Sequence, residues 1–120
     1  MLERLEQLEE NIARLRLFQQ SKTLEDVISN PFDEWALRYG FFESIQIMID
    51  IACHLVGKYN LGATKSYAHC IERLLEQDFI DEELAKRLIA TIGLRNLLIH
   101  EYVTVDPKRL YGFLDHVGGF

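Results

Sequence analysis

One stretch of this 120-residue chain gathers the side chains that acid–base and phosphate chemistry require. It runs Gly93-Leu94-Arg95-Asn96-Leu97-Leu98-Ile99-His100-Glu101-Tyr102. Read as a helix at about 100° per residue, it sets Arg95 and Tyr102 about 20° apart. Asn96 and His100 are neighbours one turn apart. Leu94, Leu97 and Leu98 take the core side, which leaves the polar groups on one corner. A histidine titrates near neutrality and acts as base or acid. An arginine presents a fixed fork of donors to phosphate oxygens. Displacement at a phosphodiester without a metal needs a base, an acid and a cation beside the charged phosphorane. One chain offers one such histidine. A two-fold dimer that juxtaposes two copies offers two histidines and two arginines in one cleft. A purely structural reading fits the same spacing: Arg95 as a surface ion-pair partner, His100 as a C-terminal helix cap, Tyr102 as a half-buried anchor. Gly93 costs about 1 kcal/mol relative to alanine inside a helix, so a close backbone approach is expected there.

Asp50 is a carboxylate inside an apolar run, and buried charges are rarely left unpaired. With Gln46 and His54 it forms a polar stripe at intervals of four. Either Asp50 pairs with Arg95 or orients His100, or the stripe faces solvent or a polar dimer seam. Asp50 and His54 alone are half a metal site, and no metal is expected. His69 and His116 read as surface residues or caps. Lys108 and Arg109 are either phosphate contacts or a solvated pair. Trp35, Tyr39, Phe41 and Phe42 read as core or dimer packing, and Cys53 and Cys70 as buried thiols. There is no Gly-rich phosphate loop and no Cys-x-x-Cys, and no cofactor is expected.

Helices must position these groups, because apolar residues recur at three and four throughout and no run alternates for long. Leu2, Leu5, Leu8, Ile12, Leu15 and Phe18 mark a first helix over about 2–20. Thr23 with Asp26 opens a short one to Ser29. Asn30-Pro31 is an N-cap followed by proline at the first helical position, and it starts a long helix to about Gly57, bent near Gly40. The half from Ile45 to Val56 is apolar on nearly all sides, which suits the middle of a bundle or a subunit interface. After the loop Asn60-Leu61-Gly62, a helix covers about 66–77. Asp81 caps another that reaches about Tyr102, and Asp106-Pro107 starts a last one to about 117. The expected architecture is all-α: a single domain over 1–120, an up-and-down bundle of four to five helices with short connections.

Composition narrows the class. Thirteen basic against nineteen acidic residues give a net charge of −6, which argues against coating duplex DNA by phosphate neutralisation but leaves room for a small phosphate site. The charged start is no signal peptide. The Ile45–Val56 run is too short and polar to span a bilayer. Two cysteines make no disulfide framework. A cytoplasmic, reduced protein with no membrane association is expected.

Arg95-Asn-Leu-Leu-Ile-His100-Glu-Tyr102 resembles the R-x4-H-x-Y motif of the HEPN superfamily, and most closely the HepT-type toxins that partner minimal nucleotidyltransferase (MNT) antitoxins. Ser44-Ile-Gln46-Ile-Met-Ile-Asp50-Ile-Ala-Cys-His54 is similar to that family's central helix, and Leu61-Gly-Ala-Thr-Lys-Ser-Tyr67 to the loop and helix start after it. The resemblance spans about 35–115. It implies a HEPN-like bundle, a homodimer and metal-independent endoribonuclease activity. Arg95 and His100 would be catalytic, with Asn96 and Asp50 supporting them. Tyr102 would face the substrate and receive AMP from the antitoxin, blocking the cleft. The alternative is a non-catalytic HEPN module that binds a nucleotide or assists a nucleotidyltransferase. The acidic balance leans that way, because few basic residues grip RNA poorly.

Overall fold

The computed structural model describes residues 1–100 and 105–117. All the regular structure in it is helical: α1 (Leu2–Ser21), α2 (Leu24–Ser29), α3 (Pro31–Lys58), α4 (Tyr67–Glu76), α5 (Glu82–His100), α6 (Pro107–Gly112) and α7 (Leu114–Val117). The expected last helix is two short pieces that part at Phe113, so the described residues hold seven helical segments, four of them long.

The helix starts follow from local side-chain chemistry. Thr23 and Asp26 form a complete capping box: Asp26 N–H donates to Thr23 Oγ1 at 3.2 Å, and Thr23 N–H to Asp26 Oδ2 at 2.8 Å. The Thr23 backbone N–H, and after it the Thr23 side chain, hold the Asp26 carboxyl below its ordinary range. Asn30 caps α3, Asp81 caps α5 and Asp106 caps α6 in the same manner. The ends of α3 and α4 share a second device. Asn60 and Asp78 adopt left-handed φ of 54° and 60°. Leu61 N–H then reaches Val56 O, and Phe79 N–H reaches Leu74 O. These are two Schellman caps without glycine. The flanking rings of Tyr59 and Phe79 meet at 5.3 Å, so the two caps pack on each other.

α3 is the central helix and runs unbroken through Gly40. By length and composition alone it could cross a membrane, but here its apolar residues form the core against α1, α2, α4, α5 and α6. Leu37, Ile49, Ile71, Leu94, Leu110 and Leu114 are almost fully buried; each such side chain contributes about 1.5–3 kcal/mol by leaving water. The close backbone approach lies at Gly40 and not at Gly93. A Cβ on Gly40 would stand 3.2 Å from Leu15 Cδ2, whereas one on Gly93 meets nothing within 4 Å. Buried Asn11 ties α1 to α3 by donating to Glu43 Oε1 at 2.9 Å, and Tyr39 donates to the other carboxylate oxygen at 2.7 Å. Led by the Tyr39 bond, these contacts pull Glu43 below its ordinary pKa and raise that of Tyr39.

One packing expectation is narrowed and one is corrected. Of the aromatic group only Phe41 lies in the core; Trp35 and Tyr39 are 71% and 63% exposed. Their apolar faces point away from the bundle because α3 turns its Leu37–Phe41–Ile45 side inward. Cys53 and Cys70 are not free thiols but a disulfide joining α3 to α4, with Cα atoms 5.2 Å apart, so the expected reduced state is corrected too. The antiparallel docking of the two helices brings these positions face to face, within normal bridging distance.

Candidate functional site

Arg95 sits in the fourth turn of α5, where the helix crosses the middle of α3 and the start of α4. Its Nε–H donates to Gln46 Oε1 at 2.9 Å, and Nη1 donates to Asn96 Oδ1 at 3.1 Å. The guanidinium carbon stands 4.9 Å from the ring centroid of Tyr67, in cation–π range. Among the described residues Nη2 has no hydrogen-bond partner. A guanidinium held on two nitrogens and one face, with the third nitrogen available, suits a phosphate oxygen.

Asp50 does not meet Arg95 directly. Gln46 Nε2 donates to Asp50 Oδ1 at 3.1 Å, so the carboxylate reaches Arg95 through the intervening amide. It is only half-buried, and the stripe it shares with Gln46 and His54 opens toward solvent, with His54 exposed. That half-exposure removes the burial argument for a direct ion pair. The part of Gln46 as acceptor for Arg95, and of Tyr67 as its platform, was missed in the sequence. The four-residue stripe hinted at the first, and nothing local signalled the second.

His100 ends the described part of α5. It is exposed and makes no hydrogen bond to any described residue. Arg95 turns toward α3 and α4, so the two do not meet within one chain. Five helical positions set their side chains about 140° apart around the axis and about 7.5 Å along it. Tyr102 lies outside the described residues. Lys108 and Arg109 are exposed at the start of α6. His69 is a turn lock: Lys65 N–H donates to its Nδ1 at 3.2 Å, while its own N–H donates to the N-cap Ser66 Oγ at 3.1 Å. His116 stacks near Phe113 at 5.4 Å.

Two depressions flank this helix. One, of about 610 Å³, adjoins Arg95 and Asn96 and is walled by residues 64–68 and the Cys53–Cys70 bridge. The other lies toward His100, between Leu98 and Ile99 and the aromatic side of α3 at Trp35, Tyr39 and Phe42.

With this geometry in place, comparison with known proteins is decisive. The model of the family described as Ribonuclease HepT-like matches residues 8–117. The chain belongs to the HepT-like ribonuclease family. Among HepT-like relatives, it is 29% identical over 109 residues to the tRNA nuclease HepT of Aphanizomenon flos-aquae, covering 90% of this chain and 73% of that protein. It is 32% identical over 90 residues to a protein assigned as an RNase in Archaeoglobus fulgidus, covering 75% and 67%. The fold matches that of YutE, a cytosolic protein of Bacillus subtilis, with a TM-score of 0.82 at 20% identity over 98% of this chain and 77% of the other. It also matches the tri-AMPylated Shewanella oneidensis HEPN toxin solved with its MNT antitoxin, with a TM-score of 0.76 at 18% identity over 99% and 96%. The all-helical HEPN architecture expected for the HepT-like chain is therefore the one observed.

Proposed function

We propose that this HepT-like ribonuclease is the toxin of a HEPN/MNT pair: an endoribonuclease, acting on tRNA, that needs no metal and works from a cleft shared by two protomers in the cytosol. The observation that carries this reading is the seating of Arg95, fixed through Nε and Nη1 and backed by Tyr67, with Nη2 left for a phosphate. The tRNA nuclease of Aphanizomenon supports the substrate, the Shewanella complex supports the partner and YutE supports the compartment.

In the proposed reaction one His100 takes the proton of the RNA 2′-hydroxyl. The O2′–P bond forms as the P–O5′ bond breaks, and the same imidazolium gives its proton to the departing 5′-oxygen, with the arginine lent by the second protomer. The products are a 2′,3′-cyclic phosphate and a 5′-hydroxyl. Arg95 stabilises the charge that grows on the phosphorane oxygens. Neutralisation is the transfer of AMP from ATP to the Tyr102 phenolic oxygen with loss of pyrophosphate. The bound phosphate then competes for Arg95, and its bulk occupies the cleft.

The net charge of −6 favours the second reading, an inactive HEPN module that accompanies a nucleotidyltransferase. Expressing the chain alone separates the two. Growth arrest and tRNA cleavage are expected, each lost on His100→Ala, with a fall of about 10²–10⁴-fold in cleavage rate. Cleavage should persist in EDTA. Cleavage that stops in EDTA and returns with Mn²⁺ overturns the metal-free mechanism, and a chain that neither arrests growth nor cuts RNA supports the inactive module.

A further inference from the structure

The depression beside Arg95 is larger than one phosphate needs. At about 610 Å³ it falls within the usual range of about 300–1,000 Å³ for ligand pockets. Ile92, Arg95 and Asn96 line it, so on α5 it begins one turn and more before His100. Its lining holds two cations, Lys65 and Arg95, and no carboxylate, in a chain where acids outnumber bases. Tyr67 carries Arg95 on one side of its ring and remains 42% exposed.

The wall is built in advance. His69 accepts from Lys65 N–H and donates to Ser66, so residues 65–69 are locked into one turn. Behind them the Cys53–Cys70 bridge fixes the start of α4 to α3. A rigid aromatic flanked by two cations is what a single-stranded nucleic acid uses: a base stacks on the ring and the backbone follows the charges. An acidic protein needs such local cations to hold RNA at all.

We infer that this depression is a nucleotide subsite, in which Tyr67 stacks a base of single-stranded RNA and Lys65 binds the phosphate next to the one held by Arg95. The subsite rests on the ribonuclease reading and deepens it: RNA is gripped on the Arg95 side of the cleavage point and not only at it. Lys65 then sets affinity, whereas Tyr67 both binds the base and backs the catalytic arginine.

The test is binding of a fluorescent, fully 2′-O-methylated single-stranded RNA, which lacks the internal nucleophile, to the full chain across a salt series. Lys65→Ala should weaken binding and reduce the slope of log affinity against log salt by about 0.7, one phosphate contact on a single strand. Lys65→Arg should restore the slope. Tyr67→Leu should weaken binding about tenfold with the slope unchanged, and Tyr67→Trp should restore affinity. Lys65 is exposed on a loop, so its variants test the subsite even where Tyr67→Leu disturbs packing. Wild-type affinity and slope in Lys65→Ala, from a wild type that binds and cleaves RNA, overturn the subsite alone. So does RNA binding left intact while the complex with the nucleotidyltransferase weakens, which makes the depression a protein contact. A wild type that binds no RNA overturns the ribonuclease reading, and the subsite with it.

Discussion

The Nε–H of Arg95 donates to Oε1 of Gln46 across 49 positions of sequence, and the same amide turns its nitrogen to Asp50. The amide has one way to face. A carboxylate accepts only, so it must meet the NH₂ of Gln46, which leaves the carbonyl oxygen for the arginine donor. Asp50 thereby sets the orientation of Gln46, and Gln46 sets that of Arg95.

Removing the middle link should matter more than neutralising the outer one. A hydrogen bond to a charged group contributes roughly 1.5–3 kcal/mol. Gln46→Ala should lower the cleavage rate about tenfold or more by releasing Arg95. Asp50→Asn retains an acceptor for Gln46 and should cost no more than about threefold. Steady-state cleavage of a tRNA substrate checks both, and a larger loss for Asp50→Asn than for Gln46→Ala contradicts the relay.

The Cys53–Cys70 bridge closes a loop with a sequence separation of 17. In the chain-entropy account a loop of that size is worth about 3 kcal/mol. Reduction should lower the unfolding temperature of this chain by roughly 10 °C. Thermal unfolding with and without dithiothreitol measures the change, alongside thiol titration of the untreated protein. Two titratable thiols before reduction would contradict the bridge.

Acid should loosen the contact between α1 and α3. Glu43 is held below its ordinary value of 4.5 by the Tyr39 and Asn11 hydrogen bonds, with Arg14 adding to them. A carboxylate with a depressed folded pKa contributes stability that is fully present above its unfolded pKa and is lost as pH falls through the folded one. The loss should therefore begin near pH 4.5 and continue below it. Glu43→Gln should be less stable than wild type at pH 7, and the gap should narrow toward pH 3. Urea midpoints at the two pH values give the comparison, and a constant gap removes Glu43 from the acid response.

Which features could be read in advance follows from the range of the forces involved. The caps at Thr23, Asn30, Asp81 and Asp106 were readable because each is a side chain bonding an N–H two or three residues on. The central place of α3 in the bundle was readable from the nearly all-round apolar run Ile45 to Val56. Gly93 misled because a glycine's cost is local while its benefit is tertiary: the close approach belongs to Gly40, against Leu15 of another helix. The cysteine pair was missed because bridging depends on how α3 and α4 dock, which no local signal encodes. At the site, Arg95 and His100 stood out by type and spacing. Their partners did not, since Gln46 and Tyr67 come to Arg95 from two other helices.

The divergence of Arg95 and His100 leads to a test of the shared cleft. Their side chains leave α5 about 140° apart, and Arg95 is committed to α3 and α4. One chain is thus poorly arranged to set both on one phosphate, whereas two chains facing across a two-fold axis can each lend one. The exposed rings of Trp35 and Tyr39, beside the end of α5, are apolar surface suited to such an interface. Arg95→Ala and His100→Ala should each be inactive as pure proteins. Unfolded together and refolded as a mixture, they form heterodimers holding one intact arginine and one intact histidine on different chains. Cleavage above that of either parent is expected, and it should fall on dilution below the dimer dissociation constant. No protomer in that mixture carries both residues, so a site contained within one chain would stay silent. A silent mixture, with heterodimers demonstrated by mass, would place the whole reaction inside a single protomer.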